Sequence, residues 1–128
     1  MKLFNTVLAV AIAAPTLALA DPIFGLWKTV TEDNKYAYIE MAPCGDKICG
    51  VINKTFANGK EVSDDMLGQK IVWELESDGG AKYSGGRILR PTDGKTYNLK
   101  MNLSGNDLSI RGCFLGICQD GGTWKRVK

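Results

Sequence analysis

The chain has 128 residues, of which 16 are basic, 14 are acidic and none is histidine. Residues 1–20 contain one lysine, a short apolar run and Ala-Leu-Ala at 18–20, the order typical of a cleavable secretory signal. The apolar run is too short to span a bilayer, which takes roughly 20 apolar residues. We therefore predict cleavage after Ala20, which leaves a single domain, 21–128, in the periplasm or outside the cell.

Without residues 1–20 the chain carries 15 basic and 14 acidic residues. This balance argues against nucleic-acid binding, because nucleic-acid binders present a clustered basic surface. No later segment is apolar for long enough to span a membrane. The lack of histidine excludes Ser–His and Cys–His nucleophile pairs, and no phosphate-binding loop or HExxH-type metal motif is present. We expect no enzymatic activity, no cofactor and no metal.

Four cysteines form two pairs with the same spacing: Cys44 with Cys49, and Cys113 with Cys118. An even number of cysteines in an exported protein favours disulfides, and four allow three pairings. If each pair brackets a hairpin turn, its two cysteines face each other at bridging distance. We therefore predict local pairing. A zinc site is the alternative, which the oxidising compartment and the wider-than-usual spacing disfavour.

Short alternating or apolar runs, separated by Gly, Asn, Asp and Pro clusters, predict an all-β domain. The clearest run is 96–103, which places apolar residues on one face and polar residues on the other. The longest connection, 55–69, is polar and contains a short helix or turn near 63–67. The predicted strands are 25–30, 36–42, 47–54, 70–76, 83–90, 96–103, 107–113 and 122–127.

Eight sequential strands joined by tight turns indicate an antiparallel up-and-down meander. A flat meander of this length leaves two exposed edges, and closure into a barrel removes them. An eight-stranded barrel is just wide enough to be filled by its own side chains or to hold one small ligand. A β-sandwich is the alternative architecture.

Two local features resemble the lipocalin and fatty-acid-binding superfamily. Gly25-Leu26-Trp27 stands in the first predicted strand, and Trp124-Lys125-Arg126 ends the last. In that superfamily the tryptophan of the first strand plugs the closed end of the barrel, and a basic residue of the last strand packs across its ring. The resemblance implies a stacked contact between Trp27 and Arg126, which is a favourable cation–π arrangement.

A stronger resemblance covers nearly all of residues 21–128. The most specific part is the block from Gly85 to Tyr97, which contains Gly-Arg-Ile and Pro-Thr-Asp-Gly-Lys-Thr-Tyr. With the sequence around both cysteine pairs, this block is similar to a bacterial exported family called domain of unknown function 2147. The resemblance implies a small lipocalin-like barrel and no particular activity.

The hairpin tip at 114–117, Phe-Leu-Gly-Ile, is apolar where a turn is normally polar. In a meander, the connections after the first, third, fifth and seventh strands lie at one end of the barrel. We therefore expect the tip and segment 55–69 to border the open mouth. In the alternative arrangement, the tip folds inward and closes a filled barrel.

These observations favour an exported binding protein for a small apolar or amphipathic molecule. The ligand would enter between 55–69 and 114–117. The residues predicted to contact it are Ile39, Trp73, Leu99, Met101, Ile110, Phe114, Leu115 and Ile117. The alternative is a protein-interaction module, such as an exported inhibitor, that uses the apolar tip to contact a protein partner.

Overall fold

The computed structural model describes residues 21–128, which form antiparallel β-structure without a helix. The predicted signal at 1–20 lies outside the described residues. The strands are β1 (Gly25–Lys28), β2 (Lys35–Cys44), β3 (Lys47–Ala57), β4 (Lys60–Val62), β5 (Lys70–Gly79), β6 (Lys82–Arg90), β7 (Lys95–Ser104), β8 (Asp107–Phe114) and β9 (Ile117–Arg126). Within this part of the chain no helix is long and apolar enough to cross a membrane.

Eight of the strands close into a barrel. Each pairs with its neighbour in sequence, except that β3 pairs with β5 across the β4 hairpin and β1 pairs with β9 to complete the ring. All of the pairings are antiparallel. The predicted eight-stranded up-and-down barrel is therefore confirmed, and the sandwich alternative is wrong.

The segment after β3 differs from the prediction in two ways. Asn58 and Gly59 both adopt positive φ, which is the requirement of a two-residue hairpin turn, and this turn adds β4 to β3. The prediction near 63–67 was a short helix or a turn, and the structure has turns there. The carboxylate of Asp64 accepts the backbone N–H of Met66, and this local bond competes with helix formation.

The closed end of the barrel is filled by large apolar side chains. Trp27, Met41, Leu75 and Leu108 are almost completely buried there. Gly50 makes room for them, because a Cβ atom at this position would lie 2.7 Å from the sulfur of Met41.

Arg126 connects the first and last strands at this closed end. Its guanidinium carbon lies 4.2 Å from the ring centre of Trp27, which confirms the predicted contact. The guanidinium also donates hydrogen bonds to the backbone carbonyls of Pro22 and Phe24, while the Trp27 indole donates to the carbonyl of Ile23 at 2.9 Å. The first strand, the segment before it and the last strand are thus fixed together.

A second contact fixes the first described residues to strand β6. The Tyr83 hydroxyl donates to Oδ1 of Asp21 at 2.6 Å, and this oxygen also accepts the backbone N–H of Ile23. Burial, reinforced by the bond to the carboxylate, raises the pKa of Tyr83 far above its ordinary value. Tyr83 therefore stays protonated and keeps donating this bond.

Both predicted disulfides are present, Cys44–Cys49 and Cys113–Cys118. Each joins two strands of one hairpin, β2 to β3 and β8 to β9. Cys113 and Cys118 are directly opposite in the register, with Cα atoms 4.0 Å apart. Four residues separate the cysteines of each pair, but the turn of each hairpin is shorter than this four-residue segment. The last strand, β9, therefore begins at Ile117 and not at the predicted residue 122.

Replacing Arg126 by alanine should lower the free energy of unfolding by about 2 kcal/mol, because the ring contact and two hydrogen bonds are lost. Urea denaturation measures the change. Lys125→Ala is the control, since Lys125 is exposed and forms a surface ion pair with Asp107; its expected loss is below about 1 kcal/mol. Equal losses in the two variants would show that the Trp27 contact does not stabilise the closed end.

Candidate functional site

The opposite half of the barrel contains a cavity that opens at the other end. The cavity and its mouth together enclose about 1040 Å³. This is at the upper end of the range for small-molecule sites. Apolar side chains from six strands form the inner wall: Ile39, Ile52, Ile71, Ile88, Ile110 and Trp124. The cavity therefore widens toward the open end, and its deeper wall residues Ile39, Ile52 and Trp124 are continuous with the packed core.

Charged residues are confined to the rim of the cavity. The rim is formed by the β1–β2 connection, the β4 segment, the β6–β7 connection and residues 119–122 of β9. All six charged lining side chains belong to exposed residues of these segments: Glu32, Asp33, Lys35, Asp64, Arg90 and Asp120. The wall below the rim carries no charge.

An ion pair crosses the mouth. Arg90 at the end of β6 donates through Nη2 to Oε1 of Glu32 at 2.8 Å and through Nη1 to Oδ2 of Asp93 at 3.2 Å. In the ring of eight strands, the β1–β2 and β6–β7 connections are four strands apart, so they lie on opposite sides of the barrel. We call Glu32, Arg90 and Asp93 the mouth bridge.

The connection that carries Glu32 is a tight turn. Asp33 and Asn34 both have positive φ, and Glu32 and Lys35 exchange backbone hydrogen bonds around them. Glu32 is therefore the residue that begins the turn, and its side chain lies within hydrogen-bonding distance of Arg90. Because both ends of the ion pair are about half exposed, the pair is weak and can open readily.

The mouth bridge is anchored on the β6–β7 side. Oδ1 of Asp93 accepts the backbone N–H of Lys95 at 2.8 Å, and Oδ2 accepts the Tyr97 hydroxyl at 2.9 Å. The Lys95 bond, followed by the Tyr97 and Arg90 bonds, lowers the pKa of Asp93 below its ordinary value. The bonds to Glu32 and Asp93 raise the pKa of Arg90. Both groups therefore remain charged at neutral pH.

The structure separates the residues predicted to bind a ligand. Ile39 and Ile110 line the cavity. Leu99 and Met101 face the interior and are about as buried as Ile39 and Ile110, but they do not line the cavity. The wall residues that the prediction missed are Ile52, Ile71, Ile88 and Trp124. In the sequence, only their positions in apolar strand segments could have indicated that these residues line a cavity.

Trp73 does not face the cavity. It lies opposite Arg87, an exposed residue, while its neighbour Val72 is completely buried. The expected alternation fails because Glu74 adopts a φ of 60°, which breaks the regular strand between Val72 and Leu75. Leu75 is thereby buried three residues after Val72, and the intervening Trp73 points away from the interior.

The 114–117 tip lies outside the cavity. Phe114, Leu115 and Ile117 are 59%, 84% and 68% exposed, and none lines the cavity. The tip therefore does not fold inward, and its part in a ligand entrance stays a prediction. Leu115 and Gly116 form a two-residue turn with positive φ at the end of this hairpin, and the Cys113–Cys118 disulfide joins its two strands. Segment 55–69 does reach the rim, through residues such as Val62 and Met66.

Residues 25–126 match the family described as "Uncharacterized protein conserved in bacteria (DUF2147)". The chain belongs to this family. A solved structure with a similar fold is described as "Protein HP1028 from the human pathogen Helicobacter pylori belongs to the lipocalin family". It is 20% identical in sequence, 83% of each chain is covered, and the TM-score is 0.68. No curated protein matches the chain. The lipocalin-like fold is therefore established.

The carboxyl group of Asp93 should titrate below its ordinary pKa of 3.8. Because the folded pKa is the lower one, the stabilisation from its bonds is present above the unfolded pKa and is lost as the pH falls through the folded value. Carbon NMR of the Asp93 carboxyl measures the titration. Tyr97→Phe removes one bond and should move the pKa upward; an unchanged pKa would contradict the Tyr97 contribution.

Replacing Leu115 by aspartate should change the free energy of unfolding by less than about 0.5 kcal/mol, because the side chain is exposed. Leu115 also has a φ of 52°, a conformation that aspartate tolerates better than leucine. Thermal denaturation measures the change, and Leu108→Asp, in the fully buried core, should unfold the protein. A loss above about 2 kcal/mol in Leu115→Asp would mean that the tip is packed against the domain.

Proposed function

We propose that this domain binds a small apolar or amphipathic molecule in the cavity at the open end of the barrel. The observation that carries the proposal is the contrast between the two halves of the interior. The closed end is packed with Trp27, Met41 and Leu75. A cavity that measures about 1040 Å³ with its mouth lies at the open end, where lining side chains such as Met66, Ile88 and Leu89 are only partly buried. Burial of an apolar ligand against the apolar wall would supply the binding free energy.

Entry requires the mouth bridge to move. Glu32 and Arg90 cross the opening, and both line the cavity. Because their ion pair is exposed, breaking it costs little free energy. The ligand would then pass between the β1–β2 connection and the β6–β7 connection, with the β4 segment forming the side of the entrance.

We also propose that the protein acts outside the cytoplasm and without catalysis. Two disulfides favour an oxidising compartment, which agrees with a cleaved signal at 1–20 and a periplasmic or extracellular location. The chain contains no histidine, and all four cysteines are bonded, so an imidazole base and a free thiol nucleophile are missing. Binding alone is therefore the simplest activity.

Filling the cavity should abolish binding without unfolding the domain. In Ile88→Trp the larger side chain would occupy the cavity, so affinity for an apolar fluorescent probe should fall at least tenfold, while the free energy of unfolding changes by no more than about 2 kcal/mol. Arg87→Trp is the matched control, because Arg87 is the preceding residue and is exposed on the outer face. Unchanged probe affinity in Ile88→Trp would show that the probe binds elsewhere.

Native mass spectrometry of protein purified from its own host tests the proposal directly. A co-purifying small molecule that is absent from the Ile88→Trp variant would support binding in the cavity. If the wild type carries no ligand and binds no apolar probe in solution, the proposed function is wrong.

A second candidate function is docking to a protein partner through the 114–117 tip. It is favoured by the exposure of Phe114, Leu115 and Ile117, and by the positive φ of Leu115, which is unfavourable for a branched apolar residue. A partner captured by the wild type and lost with Leu115→Asp would support docking. A tip that captures no partner from the extracytoplasmic fraction would count against it.

A further inference from the structure

Trp124 is the one aromatic residue of the inner cavity wall described above. It stands on β9 opposite Leu108 of β8, and 5% of its surface is exposed. Its place is just above the packed closed end, since Leu108 belongs to the filled core. Trp124 is therefore within reach of any ligand that enters the cavity fully.

The indole N–H of Trp124 lacks an acceptor within residues 21–128. Trp27 provides the contrast, because its indole donates to the carbonyl of Ile23 at 2.9 Å. No corresponding bond from Trp124 exists among the side-chain hydrogen bonds of the described residues. Buried polar groups are nearly always paired, and a buried tryptophan N–H normally finds an acceptor. A ligand that places an acceptor beside the indole nitrogen would supply the missing bond.

Two polar side chains that line the cavity already donate hydrogen bonds within the protein. The hydroxyl of Thr55, which is 9% exposed, donates to the carbonyl of Val62 at 2.9 Å. The Tyr97 hydroxyl donates to Asp93 at the rim. Neither is free to donate to a ligand while these bonds last, which leaves Trp124 as the donor at the wall.

The position of the charges argues for a neutral ligand. Every charged lining residue belongs to the rim, and Arg90 is occupied by Glu32 and Asp93. A charged group brought down to the level of Trp124 would find no opposite charge, and burying an unpaired charge costs several kcal/mol. The atom that accepts from Trp124 should therefore be an uncharged oxygen.

The cavity is also shallow. On β2, the interior-facing wall residue Ile39 lies four residues from Lys35 at the rim, which is roughly 13 Å along a strand. With a strand tilt of 35–45°, the depth along the barrel axis is about 10 Å. A compact molecule suits this space better than an extended long acyl chain.

We propose that the ligand is a compact, uncharged, apolar molecule with a carbonyl, ether or hydroxyl oxygen that accepts a hydrogen bond from the Trp124 indole. The proposal rests on the function proposed above, and it adds the chemical class of the ligand and the residue that selects it. The apolar wall would bind the carbon skeleton, and Trp124 would orient the oxygen.

Two probes with one skeleton test the hydrogen bond: camphor, a bicyclic ketone, and bornane, the parent hydrocarbon. Trp124→Phe should weaken camphor binding about fivefold, as expected for one hydrogen bond, and should leave bornane binding within twofold. Comparing each probe between wild type and variant cancels the different solvation of the two probes. Trp73→Phe is the control, because Trp73 lies outside the cavity, and it should affect neither probe.

Nuclear magnetic resonance gives a second measurement, which does not depend on a variant that folds. Camphor should shift the Trp124 indole proton downfield in wild-type protein, whereas bornane should not. A probe with a charge on the same skeleton, camphor-10-sulfonate, should bind at least tenfold more weakly than camphor.

The outcomes separate this inference from the proposed function. If camphor and bornane both bind and neither measurement distinguishes them, the role of Trp124 is wrong and cavity binding stands. If the sulfonate binds as tightly as camphor, the neutral class is wrong. If no probe binds to the wild type, the proposed function fails, and the inference fails with it.

Discussion

The closure of the barrel depends on the contact between its first and last strands. The register pairs only two residues of β1 with β9, Trp27 with Arg126 and Lys28 with Lys125, whereas β2 and β3 share ten residue pairs. So short a ladder contributes few hydrogen bonds of its own. The stacked guanidinium of Arg126, with its bonds to the carbonyls of Pro22 and Phe24, adds the contacts that the ladder lacks. Leu26 also exchanges backbone hydrogen bonds with Val127 and Lys128, so backbone and side-chain contacts together keep these two strand edges paired.

This concentration of packing at one end explains why the other end can be hollow. The fully buried side chains Ile23, Trp27 and Leu108 gather around the contact of the first and last strands and supply apolar burial there. The open end contributes less packing and can leave a cavity unfilled. The proposed binding site therefore lies at the open end, where lining side chains such as Met66, Ile88 and Leu89 are only partly buried, and substitutions there should affect the core least.

Much of the fold could be predicted because its signals are local. Strand alternation, turn residues and the paired cysteine spacing each depend on residues that are close in sequence, and the structure has the predicted barrel and both disulfides. The lining of the cavity was harder to predict. The backbone irregularity at Glu74 changes which residues of β5 face inward. Leu99 faces the interior as expected, but neighbouring side chains cover it, and that depends on three-dimensional packing that alternation does not encode.

The pairing of β1 with β9 has a consequence for folding. The other pairings of the barrel join strands that are close in sequence, so hairpins such as β2–β3 and β8–β9 can form as soon as their own residues are made. A chain synthesised from its amino terminus must wait about a hundred residues before Arg126 can cover Trp27. During that interval β1 can pair with β2 alone, and its other edge stays open. Partly folded chains with unpaired strand edges are prone to aggregate. Assembly of the barrel therefore ends at its first strand, which stays paired on one side only until β9 has been made.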